Sequence, residues 1–193
     1  MKENNWDQLY NICVKGWRVG LPETKCGGGS TIENNRTTIA FMNKLIRKYD
    51  IQSIADLGCG DFNWMKQVEL NNVYYVGYDW VWHTDTLQYE FDEYRHIEFR
   101  IGNIATIDII PADLVVCKDV LIHMDNDQAL ATLDNIKKSK ARYILVTSYD
   151  VKDNERVLSN YAPMNMEKPP FNLTNKLESI ETAPGKYLNL YEY

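Results

Sequence analysis

Ile54-Ala55-Asp56-Leu57-Gly58-Cys59-Gly60-Asp61-Phe62 decides the fold. It continues a short apolar run, Ile51–Leu57, into a turn with two glycines one residue apart. An apolar run of this length bounded by turn residues reads as a buried strand. Glycine at both turn positions lets a ligand approach the backbone closely and accommodates positive φ. Ligands of open α/β sheets bind in the crevice beyond the carboxyl ends of the strands, which is where this turn falls. The fingerprint Gly-x-Gly-x-x-Gly would need a third glycine at the position held by Asn63. A dinucleotide pyrophosphate is therefore poorly served, and no Gly-Lys-Ser/Thr occurs to form a Walker-type loop.

Downstream, apolar runs at Val73–Asp79, Ile97–Ile101, Asp113–Lys118 and Tyr143–Tyr149 alternate with helical or polar stretches. Such alternation predicts a parallel sheet covered on both faces. A helix is predicted over Asn126–Lys138, with Ala129, Leu130, Leu133 and Ile136 on one side. Its basic end, Lys137-Lys138-Ser139-Lys140, complements the helix dipole. Upstream, Trp6, Leu9, Tyr10, Cys13, Val14 and Trp17 recur at the spacing of one amphipathic helix face. A glycine-rich loop, residues 26–31, leads to a second helix with Ile39, Phe41, Met42, Leu45, Ile46 and Tyr49 as its apolar face. Ser30 and Glu33 fit a capping box at its start. After residue 150, Pro163, Pro169 and Pro170 argue against a long helix. Leu177–Glu181 and Lys186–Tyr193 read as a terminal hairpin. The expectation is a single domain over residues 1–193, with helices and glycine loop in 1–50, the binding core in 51–149, and a substrate-side loop and hairpin in 150–193.

The chain of 193 residues is 45% apolar and 25% charged, as globular proteins usually are. At this length roughly 70% of the unfolded chain's surface can be buried, so neither metals nor disulfides are needed for a core. With 21 Lys+Arg against 27 Asp+Glu the net charge is −6, which counts against a duplex-coating nucleic-acid binder. No apolar run approaches the ~20 residues of a membrane span. The N-terminal MKENNWDQLY lacks the apolar core of a secretory signal. Cys13, Cys26, Cys59 and Cys117 form no Cys-x-x-Cys pair, so free thiols in a reducing, cytoplasmic setting are expected.

Asp56-x-Gly58-x-Gly60 resembles motif I of the class I S-adenosylmethionine-dependent methyltransferases, and the resemblance holds in register over residues 26–193. Tyr75-Val76-Gly77-Tyr78-Asp79 resembles their second strand, whose terminal acid holds the cofactor ribose. Asp79 follows Asp56 by 23 residues, close to the ~20 expected for that role. Gly102-Asn103-Ile104 resembles the loop after the third strand, and the segment from Ala112 to Met124 resembles the fourth strand and the turn that leaves it. A finer likeness is to a group of small bacterial, phage and viral methyltransferases, some of them associated with surface glycans. It rests on Gly28-Gly29-Ser30-Thr31, Gly58-Cys59-Gly60-Asp61-Phe62, Lys118-Asp119-Val120-Leu121-Ile122-His123 and Pro169-Pro170-Phe171.

The resemblance implies a Rossmann-like α/β fold, with a mostly parallel seven-stranded sheet, a C-terminal antiparallel hairpin and two N-terminal helices. It implies S-adenosyl-L-methionine as cofactor, contacted by Asp56, Gly58, Cys59, Gly60, Asp79, Trp80, Asn103, Ile104, Lys118, Gly29 and Ser30. It also implies methyl transfer to a small polar acceptor, a sugar or glycan hydroxyl first among them, with Asp119 and His123 as catalytic residues. A nucleic-acid acceptor is disfavoured by the charge. It is disfavoured again because Lys118-Asp119-Val120-Leu121 stands where an Asn/Asp-Pro-Pro-aromatic sequence would be needed.

Each position also has a plainer reading. Asp56 can cap amides of the glycine turn, Asp79 can cap the next helix, and Asn103 can stabilise its own turn. Trp80 can be an ordinary partly buried aromatic. The loop from Gly27 to Thr31 is either a lid over the methionine end of the cofactor or a flexible connection. Arg36 reads as a solvated helix arginine, and His83 and His96 as ordinary helix-loop and strand residues. Asp119 and His123, spaced i, i+4, would share one face if helical. Histidine titrates near neutrality, so His123 is a candidate general base as well as a structural residue. Asp119 would bind substrate, take the proton or orient His123. Asp61 is too loosely spaced from this pair to make a convincing cation site, and no metal is expected. Residues 161–171 either wall the acceptor pocket or form a fixed surface loop. A non-catalytic cofactor-binding module remains the alternative of a different class, and Asp119 with His123 argues against it.

Overall fold

The computed structural model describes residues 23–80, 83–155 and 161–193. The helix expected around Trp6–Trp17 lies outside them. Helix α1 (Ile32–Tyr49) precedes strands β1 (Ser53–Leu57) and β2 (Tyr74–Asp79), helix α2 (His83–Glu90), and strands β3 (Ile97–Ile101) and β4 (Leu114–Cys117). Helix α3 (Asn126–Lys138) and strands β5 (Tyr143–Tyr149), β6 (Lys176–Ala183) and β7 (Lys186–Glu192) complete the chain. The strands form one sheet in the order β3-β2-β1-β4-β5-β7-β6. Strands β1 to β5 are parallel, while β7 runs antiparallel to both β5 and β6. This is the sheet the sequence predicts, terminal hairpin included. His96 falls in the turn before β3 rather than on the strand.

Side chains of a strand point alternately to its two faces, and both faces of this sheet are covered. Ile54, Tyr75, Leu114, Val116 and Leu145 join Phe41, Met42 and Leu45 of α1 in one core layer. Ala55, Leu57, Val76, Val115, Ile144 and Val146 join Ala129, Leu133 and Ile136 of α3 in the other. The central strands β4 and β5 read as apolar runs for this reason, whereas the edge strand β3 alternates Ile97, Phe99 and Ile101 with Glu98 and Arg100. Burying Phe41, Met42 and Leu45 favours the docking of α1 by roughly 1.5–3 kcal/mol per side chain. Against that, the partly exposed ion pairs from Lys44 and Lys48 to Glu178 of β6 add little. Among the described residues no helix is long and apolar enough to cross a membrane.

Two local expectations are corrected. The cap of α1 is Thr31, not Ser30: residues 28–30 form a 3-10 turn, and the Thr31 hydroxyl accepts the Asn34 N–H at 3.3 Å. Glu33, expected to complete the box, pairs instead with Arg36 on the surface at 2.7 Å. A capping box is present instead at α3, where Asp125 and Gln128 satisfy each other's backbone amides. Nor do Asp119 and His123 share a helix face. Asp119 sits at φ 60°, and only residues 121–123 form a single 3-10 turn. A left-handed residue two positions past the end of β4 redirects the chain, so i, i+4 spacing carries no helical meaning there.

Because β1 to β5 are parallel, their carboxyl ends lie on one edge of the sheet. Strand β7 enters at the same edge, with Lys186 paired in register to Tyr149. From one side to the other, that edge presents Asp79, Gly58, Lys118 with Asp119, Tyr149 and Lys186. Strand order reverses between β1 and β4, the switch point at which open α/β sheets leave a binding crevice.

Candidate functional site

The crevice is built from the glycine turn outward. Gly58 and Gly60 have φ of 81° and 58°, the left-handed region that side chains seldom enter. A Cβ on Gly58 would lie 2.2 Å from Val120 Cγ2, and one on Gly60 would lie 2.9 Å from Cys26 Sγ. Both glycines are therefore fixed by sterics as well as by dihedral angle. The N–H groups of Gly58 and Cys59 donate to the Tyr78 carbonyl at 2.7 and 3.1 Å. The Gly60 N–H donates to Asp79 Oδ2 at 2.8 Å, so the acid at the end of β2 is bound to the turn at the end of β1. Asp79 Oδ1 accepts the Trp80 N–H, and the Trp80 side chain stands 44% exposed beside it.

Beneath the turn, Asp56 is buried and accepts the Tyr75 hydroxyl at 2.8 Å. Burial pushes its carboxyl up to about 7, against the lowering effects of the Tyr75 hydrogen bond and of Lys118. The Cys59 thiol is pushed up as well, first by burial and then by Asp79 and Asp56. Cys26 and Cys117 are raised by the same desolvation. Cys26, Cys59 and Cys117 are free cysteines, held as thiols rather than nucleophilic thiolates.

Beyond β3, Asn103 Oδ1 accepts the Ala105 N–H at 2.9 Å, so this side chain does stabilise its own turn. Ile104 is buried in the core layer on the α3 side, its carbonyl accepting Asn135 Nδ2 at 2.9 Å.

Two loops are tied across the crevice. The Gly29 carbonyl accepts both Asn35 Nδ2 at 2.8 Å and Lys118 Nζ at 3.2 Å, and the Ser30 carbonyl accepts Asn63 Nδ2 at 3.1 Å. Asp61 Oδ2 accepts the Thr24 hydroxyl and the Lys25 N–H at 2.8 and 2.6 Å. The glycine-rich loop is thus anchored to the β1 turn and the end of β4 together, which a merely flexible connection would not require.

Asp119 is the hub of the far half. Its carboxylate lies 2.8 Å from Lys118 Nζ and 2.8 Å from Lys186 Nζ, and accepts the Thr147 hydroxyl at 3.0 Å. Its own N–H returns to Thr147 Oγ1 at 2.9 Å. Burial alone would raise this carboxyl, but the Lys118 and Lys186 ammoniums outweigh it and hold Asp119 at about 2. Lys118, its ammonium 5.4 Å from the Trp64 ring centre, leans toward the β1 side, and Lys186 closes the other. His123 reaches this half with its ring 6.1 Å from that of Tyr161. The Tyr161 hydroxyl in turn donates to that of Tyr149 at 2.8 Å. Burial pushes the Tyr149 hydroxyl up, with the Tyr161 hydrogen bond and Asp119 adding to it.

The sequence-predicted residues therefore divide. Gly58, Cys59, Gly60 and Asp79 form one continuous unit; Gly29, Ser30, Lys118 and Asp119 form a second against it; Asp56 and Ile104 lie below in the core. Asp61, Asp119 and His123 do not converge, and among the described residues no three His, Cys, Asp or Glu side chains gather as a metal site would require. Thr147, Tyr149 and Lys186 were missed. The available signal was register: the predicted hairpin sets its second strand against β5, and that pairing brings Lys186 opposite Tyr149.

No protein-family profile and no curated protein matches the chain by sequence. Solved structures match it by fold. Magnesium protoporphyrin IX methyltransferase (ChlM) from Synechocystis PCC 6803, with bound SAH, superposes with a TM-score of 0.69 at 14% identity, over 97% of this chain and 98% of that one. The chain has the class I methyltransferase fold. N-methyltransferase NodS from Bradyrhizobium japonicum WM9, in complex with S-adenosyl-L-homocysteine, gives 0.68 at 14% identity over 98% of both chains. An O-methyltransferase family protein from Burkholderia thailandensis gives 0.62 at 13% identity, over 83% of this chain. The chain spans only 56% of the Burkholderia protein's length.

Proposed function

We propose that the protein is an S-adenosylmethionine-dependent methyltransferase acting on a small polar acceptor, with a sugar or glycan hydroxyl as the methylated group. The observation that carries this reading is the unit of Gly58, Gly60 and Asp79 at the switch point: two glycines held at positive φ with little room for a side chain, the second donating its N–H at 2.8 Å to the acid that ends β2. Solved proteins of the same fold hold S-adenosylmethionine or its demethylated product.

The residues present fit that cofactor. The glycine turn leaves room for a ligand against bare backbone, and an acidic side chain beside it is the acceptor that ribose hydroxyls take. Asp79 would hold the ribose, Trp80 and Asn103 would flank the adenine end, and Gly29, Ser30 and Lys118 would border the methionine end. When bound, S-adenosylmethionine supplies a methyl group on a positively charged sulfur, open to displacement by an oxygen nucleophile. The chain's own work is then to align the acceptor, exclude water and take a proton. Alignment of this kind can supply up to ~7–11 kcal/mol of the barrier reduction.

Proton acceptance falls to His123 rather than Asp119. A carboxylate held at about 2 by two ammoniums and a hydroxyl is a weak base, better suited to fixing charge than to abstracting a proton. His123, on the wall with Tyr161 and Tyr149, is the candidate for the hydroxyl proton.

The experiment is a labelled-methyl transfer screen over sugars and glycans with wild type, His123→Asn and Asp119→Asn. Wild type should label a hydroxyl. His123→Asn should lower kcat about 10²–10⁴-fold while still binding the demethylated cofactor. Transfer to no sugar or glycan overturns the acceptor; wild-type turnover in His123→Asn overturns the base.

A further inference from the structure

The acceptor half of the crevice contains two ammoniums and one carboxylate. Lys118, Asp119 and Lys186 have side chains only 9%, 19% and 21% exposed, so water does little to offset the unbalanced charge. In a molecule of net charge −6 this is a local inversion of sign. The nearest acids of the hairpin turn do not cancel it. Asp150 and Glu181 are exposed, and Glu181 turns back to accept the Gly185 N–H at 2.9 Å.

The two lysines are not equivalent. Lys118 is already shared among Asp119, the Gly29 carbonyl and the Trp64 ring, on the β1 side. Lys186 stands at the start of β7, beyond β5 and farthest from the glycine turn. An ammonium has three N–H donors, and Asp119 offers two oxygens to meet them. Tyr149, Tyr161 and His123 wall the same side, aromatic faces suited to a sugar ring or another flat apolar surface.

Resting on the methyl-acceptor reading above, we propose that Lys186 makes the site specific for an acceptor that carries an anionic group, a carboxylate or a phosphate, near the hydroxyl to be methylated. Asp119 then fixes Lys186 in place, and the incoming anion completes the balance of two positive and two negative charges. Charge-assisted hydrogen bonds of this type are about twice as strong as neutral ones, so they separate an acidic acceptor from its neutral counterpart.

The test is a labelled-methyl transfer panel of matched sugars, each as the neutral sugar, the uronic acid and the phosphate ester, with wild type, Lys186→Met and Lys186→Arg. Binding of the demethylated cofactor is followed in parallel by calorimetry. In wild type, kcat/KM for the acidic member should exceed that for the neutral one at least tenfold, and the uronic-acid and phosphate arms show which anion is taken. Lys186→Met should bring that ratio toward one, mainly through a higher KM, and Lys186→Arg should keep most of it. Equal kcat/KM for neutral and acidic members in wild type overturns this inference alone. So does a preference that persists in Lys186→Met. Cofactor binding without transfer to any member overturns the acceptor reading, and this inference with it.

Discussion

Asp56 and Asp119 stand at the ends of neighbouring strands, and their surroundings push them in opposite directions. Asp56 is buried with one hydroxyl partner and is raised to about 7. Asp119 is gripped by two ammoniums and is held at about 2. Linkage turns this contrast into a measurement. Asp56 has a folded value above its ordinary one, so its contribution to stability is full below the ordinary carboxylate range and is lost as pH rises through about 7. Asp119 has a lowered value, so its contribution is present above the ordinary range and is lost as pH falls toward about 2. Urea unfolding at pH 5 and pH 8 should therefore show wild type losing stability on the alkaline side through Asp56, by about 2–3 kcal/mol. Asp56→Asn, which keeps an acceptor for Tyr75, should flatten that loss; an unchanged pH dependence would refute the assignment. The residues that could be read from sequence at this scale were those under local constraint. Gly58 and Gly60 are dictated by a turn within one segment, and Asp79 by a fixed distance along the chain. Thr147 and Lys186 could not be read in this way. They reach Asp119 from 28 and 67 residues away, and nothing local to either records the meeting.

At the scale of elements, apolar periodicity placed the strands well because two covered faces leave no ambiguity about a five-residue apolar run. It placed the terminal hairpin by alternation instead, Leu188 and Leu190 sharing one core face of β7. Loop geometry was less legible. Ser30 and Thr31 are equally good caps by composition, and the choice was made by the 3-10 turn that consumes Ser30. Likewise, Asp119 at φ 60° broke a spacing that looked helical. In the stretch after β5 one buried side chain gathers several bonds. Asn154 Nδ2 donates to the carbonyls of Asn165, Lys168 and Pro169 at 2.9, 3.3 and 2.8 Å, and its Oδ1 accepts the Asn165 N–H at 2.8 Å. No apolar pattern announces such a staple. Asn154→Ala removes the bonds to the Asn165 N–H and the Pro169 carbonyl and should cost about 1–3 kcal/mol, with faster proteolysis in residues 150–171. Wild-type midpoint and cleavage rate in this variant would show that the loop is held otherwise.

For the molecule as a whole, the sheet edge assigns its work by strand. Strands β1 and β2 carry the glycine turn and Asp79; β4, β5 and β7 carry Asp119, Thr147, Tyr149 and Lys186. In the proposed function the first half would take the cofactor's nucleoside and the second the acceptor; the glycine-rich loop, bonded to Asn63 and Lys118, spans both. The net charge of −6, which at first only counted against nucleic acid, contrasts with the two lysines gathered on the one carboxylate of Asp119. All of this depends on the crevice holding the cofactor. The most direct test is calorimetric titration of S-adenosyl-L-homocysteine into wild type, Gly58→Ala and Asp79→Ala, with circular dichroism to confirm folding. The account predicts one site in wild type, and affinity at least tenfold weaker in each folded variant. No binding to wild type, or equal binding by wild type and both variants, would contradict it.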